Sequence, residues 1–152
     1  MSDRTDRSRL IIPALGGLYD GFAPFSYAFM RFATGAVLVP HGIQKLLFNS
    51  TDTFAGNISG KGLPFAGVLA VLVFLTESVG AACLALGLFT RIAAAMILIQ
   101  MTVIILFFQW QNGYFWTNRG YEYALLWWLL CLAIFFRGGG RYSVDHYIGK
   151  EF

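Results

Sequence analysis

The sequence predicts an all-α integral membrane protein: a bundle of four transmembrane helices forming one domain over residues 1–152, with the N-terminus and the C-terminus both cytoplasmic. Three observations carry this expectation. Hydrophobic residues make up 57% of the chain and charged residues 12%, whereas soluble domains carry about 25% charged residues. Apolar runs near the ~20 residues needed to cross a bilayer recur along the chain, separated by short polar connections. After four such runs, 152 residues leave little for an extramembrane domain. A soluble globule of this size needs more polar surface, so a soluble enzyme, a disordered chain and a disulfide scaffold are all disfavoured.

The elements follow in order. Residues 1–23 form an N-terminal segment, polar through Arg9 and then apolar but broken by Pro13, Gly16 and Gly17. No small-residue cleavage site follows, so an interfacial cytoplasmic segment is expected rather than a cleaved signal peptide. The first span covers about residues 24–48 and contains Arg31, Pro40, His41, Gln44 and Lys45. Pro40 removes a backbone donor and predicts a kink just before His41. A connection over residues 49–62 is rich in Gly, Ser, Thr and Asn, a loop composition. The second span, about 63–88, holds one charge, Glu77. The third, about 92–110, is uncharged and is joined to the second only by Phe89, Thr90 and Arg91, which predicts a tight helical hairpin. The fourth, about 120–136, opens with Glu122. Gly138-Gly139-Gly140 then reads as a helix stop, leaving residues 137–152 as a cytoplasmic tail.

Orientation follows from the basic residues. One side of the bundle holds Arg4, Arg7, Arg9, Arg91, Arg137, Arg141 and Lys150, and the other holds Lys45, Lys61 and Arg119. The richer side is the cytoplasmic one, and Trp110 and Trp116 then fall in the outer aromatic belt. Small residues allow close helix contact in lipid, and Ala81 and Ala85 have the small-xxx-small spacing. Cys83 and Cys131 lie inside apolar runs without a Cys-x-x-Cys pair, so they read as small core residues rather than a thiol–disulfide centre.

The polar residues within the spans are the main functional signal, because each charge there costs ~2.5–3.5 kcal/mol. Arg31, Thr34, Leu38, His41 and Lys45 recur at 3-4-3-4 spacing and fall within an arc of about 80° on one helix. Arg31 lies about 10 Å and Glu77 about 16 Å from the cytoplasmic ends of their spans, which predicts a buried Arg31–Glu77 ion pair. Lys45 is expected to pair with Glu122, with His41 beneath. Two readings of these residues stand side by side. In one, the pairs only neutralise each other and fix helix register. In the other, His41, Lys45, Tyr121 and Glu122 line an outward-facing pocket for a small polar molecule or a quinone head group, and His41 moves a proton. The chain contains no bis-histidine set for haem, no carboxylate–histidine cluster for a metal, no nucleophile elbow and no phosphate loop. Its small, scattered net charge of +3 does not point to nucleic acid.

These polar stations also carry a resemblance. Arg31-Phe32-Ala33-Thr34-Gly35 followed by His41-Gly42-Ile43-Gln44-Lys45-Leu46 resembles the opening of DoxX-family proteins. Glu77, Gly80 and Leu86-Gly87-Leu88-Phe89-Thr90-Arg91 resemble the family's second span and hairpin turn. Gly120-Tyr121-Glu122 and Gly139-Gly140-Arg141-Tyr142-Ser143-Val144-Asp145 resemble its fourth span and tail. The resemblance covers about residues 31–145, in the family's order. It implies a multi-pass protein of the bacterial inner membrane linked to redox physiology. The related DoxD and DoxA proteins form a membrane thiosulfate:quinone oxidoreductase, other DoxX-like proteins resemble accessory subunits of oxidative-stress or thiol-redox systems, and the surfeit-locus cargo receptors are more distantly similar.

Three functions are therefore expected in order. The first is a non-catalytic accessory subunit of a membrane redox or respiratory assembly. The second is a quinone-linked oxidoreductase, or a subunit of one, acting on a small sulfur compound such as thiosulfate. The third is a small transporter or sorting receptor. Partners are membrane lipids and other membrane subunits or further copies of this chain. No intrinsic cofactor is expected, and a quinone is the exogenous one this reading admits.

Overall fold

A computed structural model of the chain describes residues 6–48 and 51–151. Arg4, counted above among the topology charges, and Asn49, the first residue of the expected loop, lie outside the described residues. Every regular element among the described residues is helical.

Two 3-10 turns, Arg7–Arg9 and Pro13–Leu15, lead into helix α1, Gly16–Phe48. Asp6 caps the first turn by accepting the Ser8 backbone N–H at 3.1 Å and hydroxyl at 2.6 Å, and these bonds hold its carboxyl below the usual carboxylate range. The sequence places the start of the first span near residue 24, but α1 begins at Gly16 and runs helically past both Pro24 and Pro40. At about 1.5 Å per residue the helix is ~50 Å long, well beyond a ~30 Å hydrocarbon core.

The connection that reads as a loop is largely a helix, α2, Thr51–Ser59. Its composition hides a one-turn apolar repeat: Phe54 and Ile58 share a face, and Ile58 is buried. Helix α3, Ala66–Leu86, includes a widened π-helical turn at Thr76–Gly80. Helix α4, Thr90–Asn112, has a second such turn at Ile104–Gln109. Gly87 (φ 72°) and Phe89 (φ 48°) make the reversal between α3 and α4 in left-handed conformation, and the Leu88 N–H closes the end of α3 on the Cys83 carbonyl at 2.9 Å. Helix α5, Glu122–Arg137, packs along α4 and ends at Gly138 (φ 77°). A short helix α6, Val144–Ile148, is capped by the Ser143 hydroxyl oxygen, which accepts the His146 N–H at 3.1 Å.

The shared core is narrow and built from small or slim side chains: Ala81, Leu84, Ala94, Ile97, Cys131 and Ile134 are all fully buried. Large apolar residues face outward instead, among them Phe29 on α1, Val68 on α3, Ile99 and Leu106 on α4 and Phe136 on α5. That inversion suits a lipid solvent. Among the described residues three helices are long and apolar enough to cross a membrane, covering Pro13–Lys45, Ala66–Leu86 and Thr90–Asn112. The bundle has two ends. The hairpin end carries the α3–α4 reversal and the tail, and the loop end carries α2 and the α4–α5 connection.

Candidate functional site

The site is set by how α1 meets α3. A Cβ added at Gly42 would lie 2.7 Å from the Glu77 carbonyl carbon and the Ser78 nitrogen, and one at Gly35 would lie 2.5 Å from the Ala85 nitrogen. The two glycines are one heptad apart and let the backbones touch. Ala81 and Ala85 thus do sit at a close contact, and their partners are the glycines of α1. This packing places Gly42 level with Glu77 and Arg31 level with the last turn of α3.

Arg31 and Glu77 are both buried, at 2% exposure each, but they do not pair. Eight residues separate Glu77 from Ala85, about 12 Å along α3. Arg31 instead caps the C-terminal end of α3, where backbone carbonyls lack helical partners and the helix dipole is negative. Its Nη1 donates to the Leu84 and Ala85 carbonyls at 2.7 Å each, and its Nη2 donates to the Tyr142 carbonyl at 2.7 Å. Nε is left unpaired. The tail completes this end. Asp145, 1% exposed, accepts the Phe89 N–H at 2.7 Å, the Thr90 N–H at 2.9 Å and the Thr90 hydroxyl at 2.6 Å, so it caps the start of α4. Its own N–H donates to the Gly87 carbonyl at 2.9 Å.

Glu77 takes a different cation. Its carboxylate receives Lys45 Nζ on both oxygens, the bond to Oε1 being 2.5 Å. Gln100 Nε2 donates to the same Oε1 at 2.5 Å. Lys45 does not reach Glu122, whose carboxylate accepts the Trp116 N–H at 3.0 Å within the α4–α5 connection. The reason is the register set by Gly35 and Gly42, which puts Lys45 at the level of the π-helical turn that carries Glu77. Gln100 stands about 15 Å into α4, so the trio Lys45–Glu77–Gln100 lies deep between three helices.

A cavity of about 390 Å³ abuts this trio, within the range of small-molecule sites. Among the described residues Lys45, Thr76 and Gln100 are its polar lining, and the rest are apolar. α3 supplies Leu69, Leu72 and Val73, α4 supplies Met96, Ile99, Val103 and residues of its π-helical turn, and α2 covers the loop end with Phe54 and Ile58. The Phe54 ring lies 5.3 Å from Lys45 Nζ. Leu72 and Ile99 line the cavity and remain exposed, so it is open rather than sealed.

The pocket expected from His41, Lys45, Tyr121 and Glu122 is not assembled. His41 is exposed, because the packed stripe of α1 runs through Arg31, Gly35, Leu38, Gly42 and Lys45, and His41 falls at about 80° from its centre. Tyr121 stacks on Trp110 with ring centroids 5.3 Å apart and meets the edge of Tyr114. Among the sequence candidates only Lys45 and Glu77 meet. Gln100 was not singled out from the sequence, although a glutamine within an apolar span is the kind of polar residue that marks a site. In the sequence Asp145 stands out only as part of a tail motif, and nothing local marks Phe54. Trp127 and Trp128 bond neighbouring helices, Trp127 donating to the Thr34 carbonyl at 3.1 Å and Trp128 to the Thr102 hydroxyl at 3.0 Å. Among the described residues no group of three or more His, Cys, Asp or Glu could hold a metal ion.

The model of the DoxX family matches residues 26–110, more than half of the chain. The matched segment contains Arg31, both packing glycines, Lys45, Glu77 and Gln100. An uncharacterized protein of Haemophilus influenzae is 32% identical over 133 residues, covering 86% of this chain and 96% of its own. No solved structure matches. The chain belongs to the DoxX family.

Proposed function

We propose that this protein is a non-catalytic, quinone-holding subunit of a redox assembly in the bacterial inner membrane. In this reading α5 is the fourth span, and both termini are cytoplasmic, as the basic residues of the hairpin end favour. The observation that carries the proposal is the largely apolar cavity among membrane-spanning helices, with Lys45, Thr76 and Gln100 as its polar lining. An apolar body with a small polar head, taken up from the lipid phase, is the ligand class that fits such walls. A quinone is the redox-linked member of that class.

The thiosulfate-oxidising alternative drew on basic and polar residues at an outer mouth. Lys45 is paired with Glu77 and the Glu122 carboxylate takes the Trp116 N–H, so no observation favours that reading. The transporter or receptor alternative has no specific observation in its favour. Equilibrium binding of a short-chain quinone to the purified protein in detergent tests the proposal. Saturable binding that is lost in a cavity-filling variant such as Val73→Trp is expected, and absence of binding refutes the quinone role. Mild-detergent extraction from native membranes tests the assembly role, and a purely monomeric or homo-oligomeric species would count against it.

A further inference from the structure

We infer that the cavity holds the hydrocarbon tail of its ligand and leaves the polar head outside, so that it grips an alkyl or isoprenoid chain whatever group the chain carries. The inference deepens the quinone reading and rests on it only for which chain-bearing molecule is held.

The polar residues of the wall spend their polar atoms on one another. Lys45 Nζ bonds both Glu77 oxygens and lies 5.3 Å from the centre of the Phe54 ring, so its methylene stem is what it chiefly offers the cavity. Glu77 is buried and is not part of the lining. Gln100 is buried as well: its Nε2 donates to Glu77, and its Oε1 has essentially no exposed surface. Thr76 is also buried. The surface that a ligand meets is therefore almost wholly hydrocarbon, supplied chiefly by Leu69, Leu72 and Val73 of α3 and Met96, Ile99 and Val103 of α4.

Such a wall discriminates between the two parts of an amphiphile. A carbonyl or hydroxyl set against it has its hydrogen-bonding capacity unmet, which costs free energy. A chain has no such capacity to lose, and it restores the dispersion contacts that a void denies the lining. Apolar cavities in proteins stay dry and take up apolar guests for the same reason. Leu72 and Ile99, which line the cavity and remain exposed, lie within membrane-spanning segments, so the surroundings outside the cavity are hydrocarbon too. With the head outside, a quinone and its quinol are held alike. The tail of a quinone and the acyl chain of a phospholipid share this chemistry, and the test separates them.

Binding to the purified full-length protein in detergent is compared for five probes: decylubiquinone, its quinol, the bare ubiquinone head without a chain, decylbenzene and didecanoylphosphatidylglycerol. Amounts are expressed per micelle. The Val73→Trp and Val103→Trp variants fill the cavity from α3 and from α4 and are measured alongside, so that uptake by the micelle is subtracted. Decylubiquinone and its quinol should bind within about twofold of each other and at least about tenfold tighter than the bare head. Decylbenzene should displace them, and the filled variants should lose the preference for the chain. A bare head that binds as tightly as decylubiquinone overturns the inference and leaves the quinone reading standing, as does a tenfold preference for one redox form. Phosphatidylglycerol binding as tightly as decylubiquinone, or tighter, supports chain-holding and removes the quinone reading. If no probe binds, both fall. Should one filled variant fail to fold, the other serves, and should both fail, the wild-type ratio of chain to bare head decides.

Discussion

The two buried polar clusters are built from different kinds of partner. At the hairpin end, Arg31 and Asp145 are satisfied almost wholly by backbone: carbonyls at the end of α3 and in the tail for one, amides at the start of α4 for the other. Midway along the bundle, Lys45, Glu77 and Gln100 satisfy one another through side chains and border a cavity. The first cluster serves groups that any helix end must satisfy and that no side-chain change removes. The second serves charges that exist only because the sequence put them there. A polar group kept where the fold does not need it is the better candidate for function.

Substitutions can break this comparison. Arg31→Met should have the largest effect, about 3–5 kcal/mol, because it leaves three backbone carbonyls unserved beside a buried carboxylate. Loss of monodisperse protein on size exclusion, or a large fall in thermal midpoint, is the readout. Asp145→Ala should follow, at about 3 kcal/mol, since three donors at the start of α4 lose a charged acceptor. If either variant behaved like wild type, the hairpin end would not be a lock.

Glu77→Leu alone should cost about 3 kcal/mol by stranding Lys45, whereas Lys45→Met with Glu77→Leu should return to within about 1 kcal/mol of the wild type. The matching double change at the hairpin end, Arg31→Met with Asp145→Leu, should show no such recovery. Equal recovery at both ends would erase the distinction between them. The smallest effect belongs to Gln100→Leu, about 0.6 kcal/mol, the average for a side-chain hydrogen bond inside a membrane protein. A loss of several kcal/mol there would make Gln100 a structural residue, like those of the hairpin end.

Much of the fold is legible in the sequence because lipid imposes simple rules. The hairpin of α3 and α4, the stop at Gly138 and the outward-facing aromatics follow from run length, helix breakers and composition. The polar stripe of α1 is also legible, but its partners are not. Depth counted from the start of each apolar run assumes that the helices begin at one level, and the close contact of Gly35 and Gly42 with α3 sets a register about two turns away from that. Arg31 therefore meets the end of α3 rather than Glu77, and Lys45 meets Glu77 rather than Glu122. α2 was missed because Gly, Ser, Thr and Asn outnumber its apolar residues, and its helix is held by packing of Phe54 and Ile58 over the cavity.

The sequence by itself determined that the chain is a helical membrane protein, where three of its long helices lie, and which few polar residues are kept within them. These are one-dimensional consequences of the cost of exposing charge and backbone to hydrocarbon. Which of those residues meet was decided only by tertiary structure. Axial register between helices is fixed by the contact of Gly35 and Gly42 with the α3 backbone, and a register of this kind has no signature in either helix alone. The cavity, its cover and the unpartnered Gln100 oxygen all follow from that register.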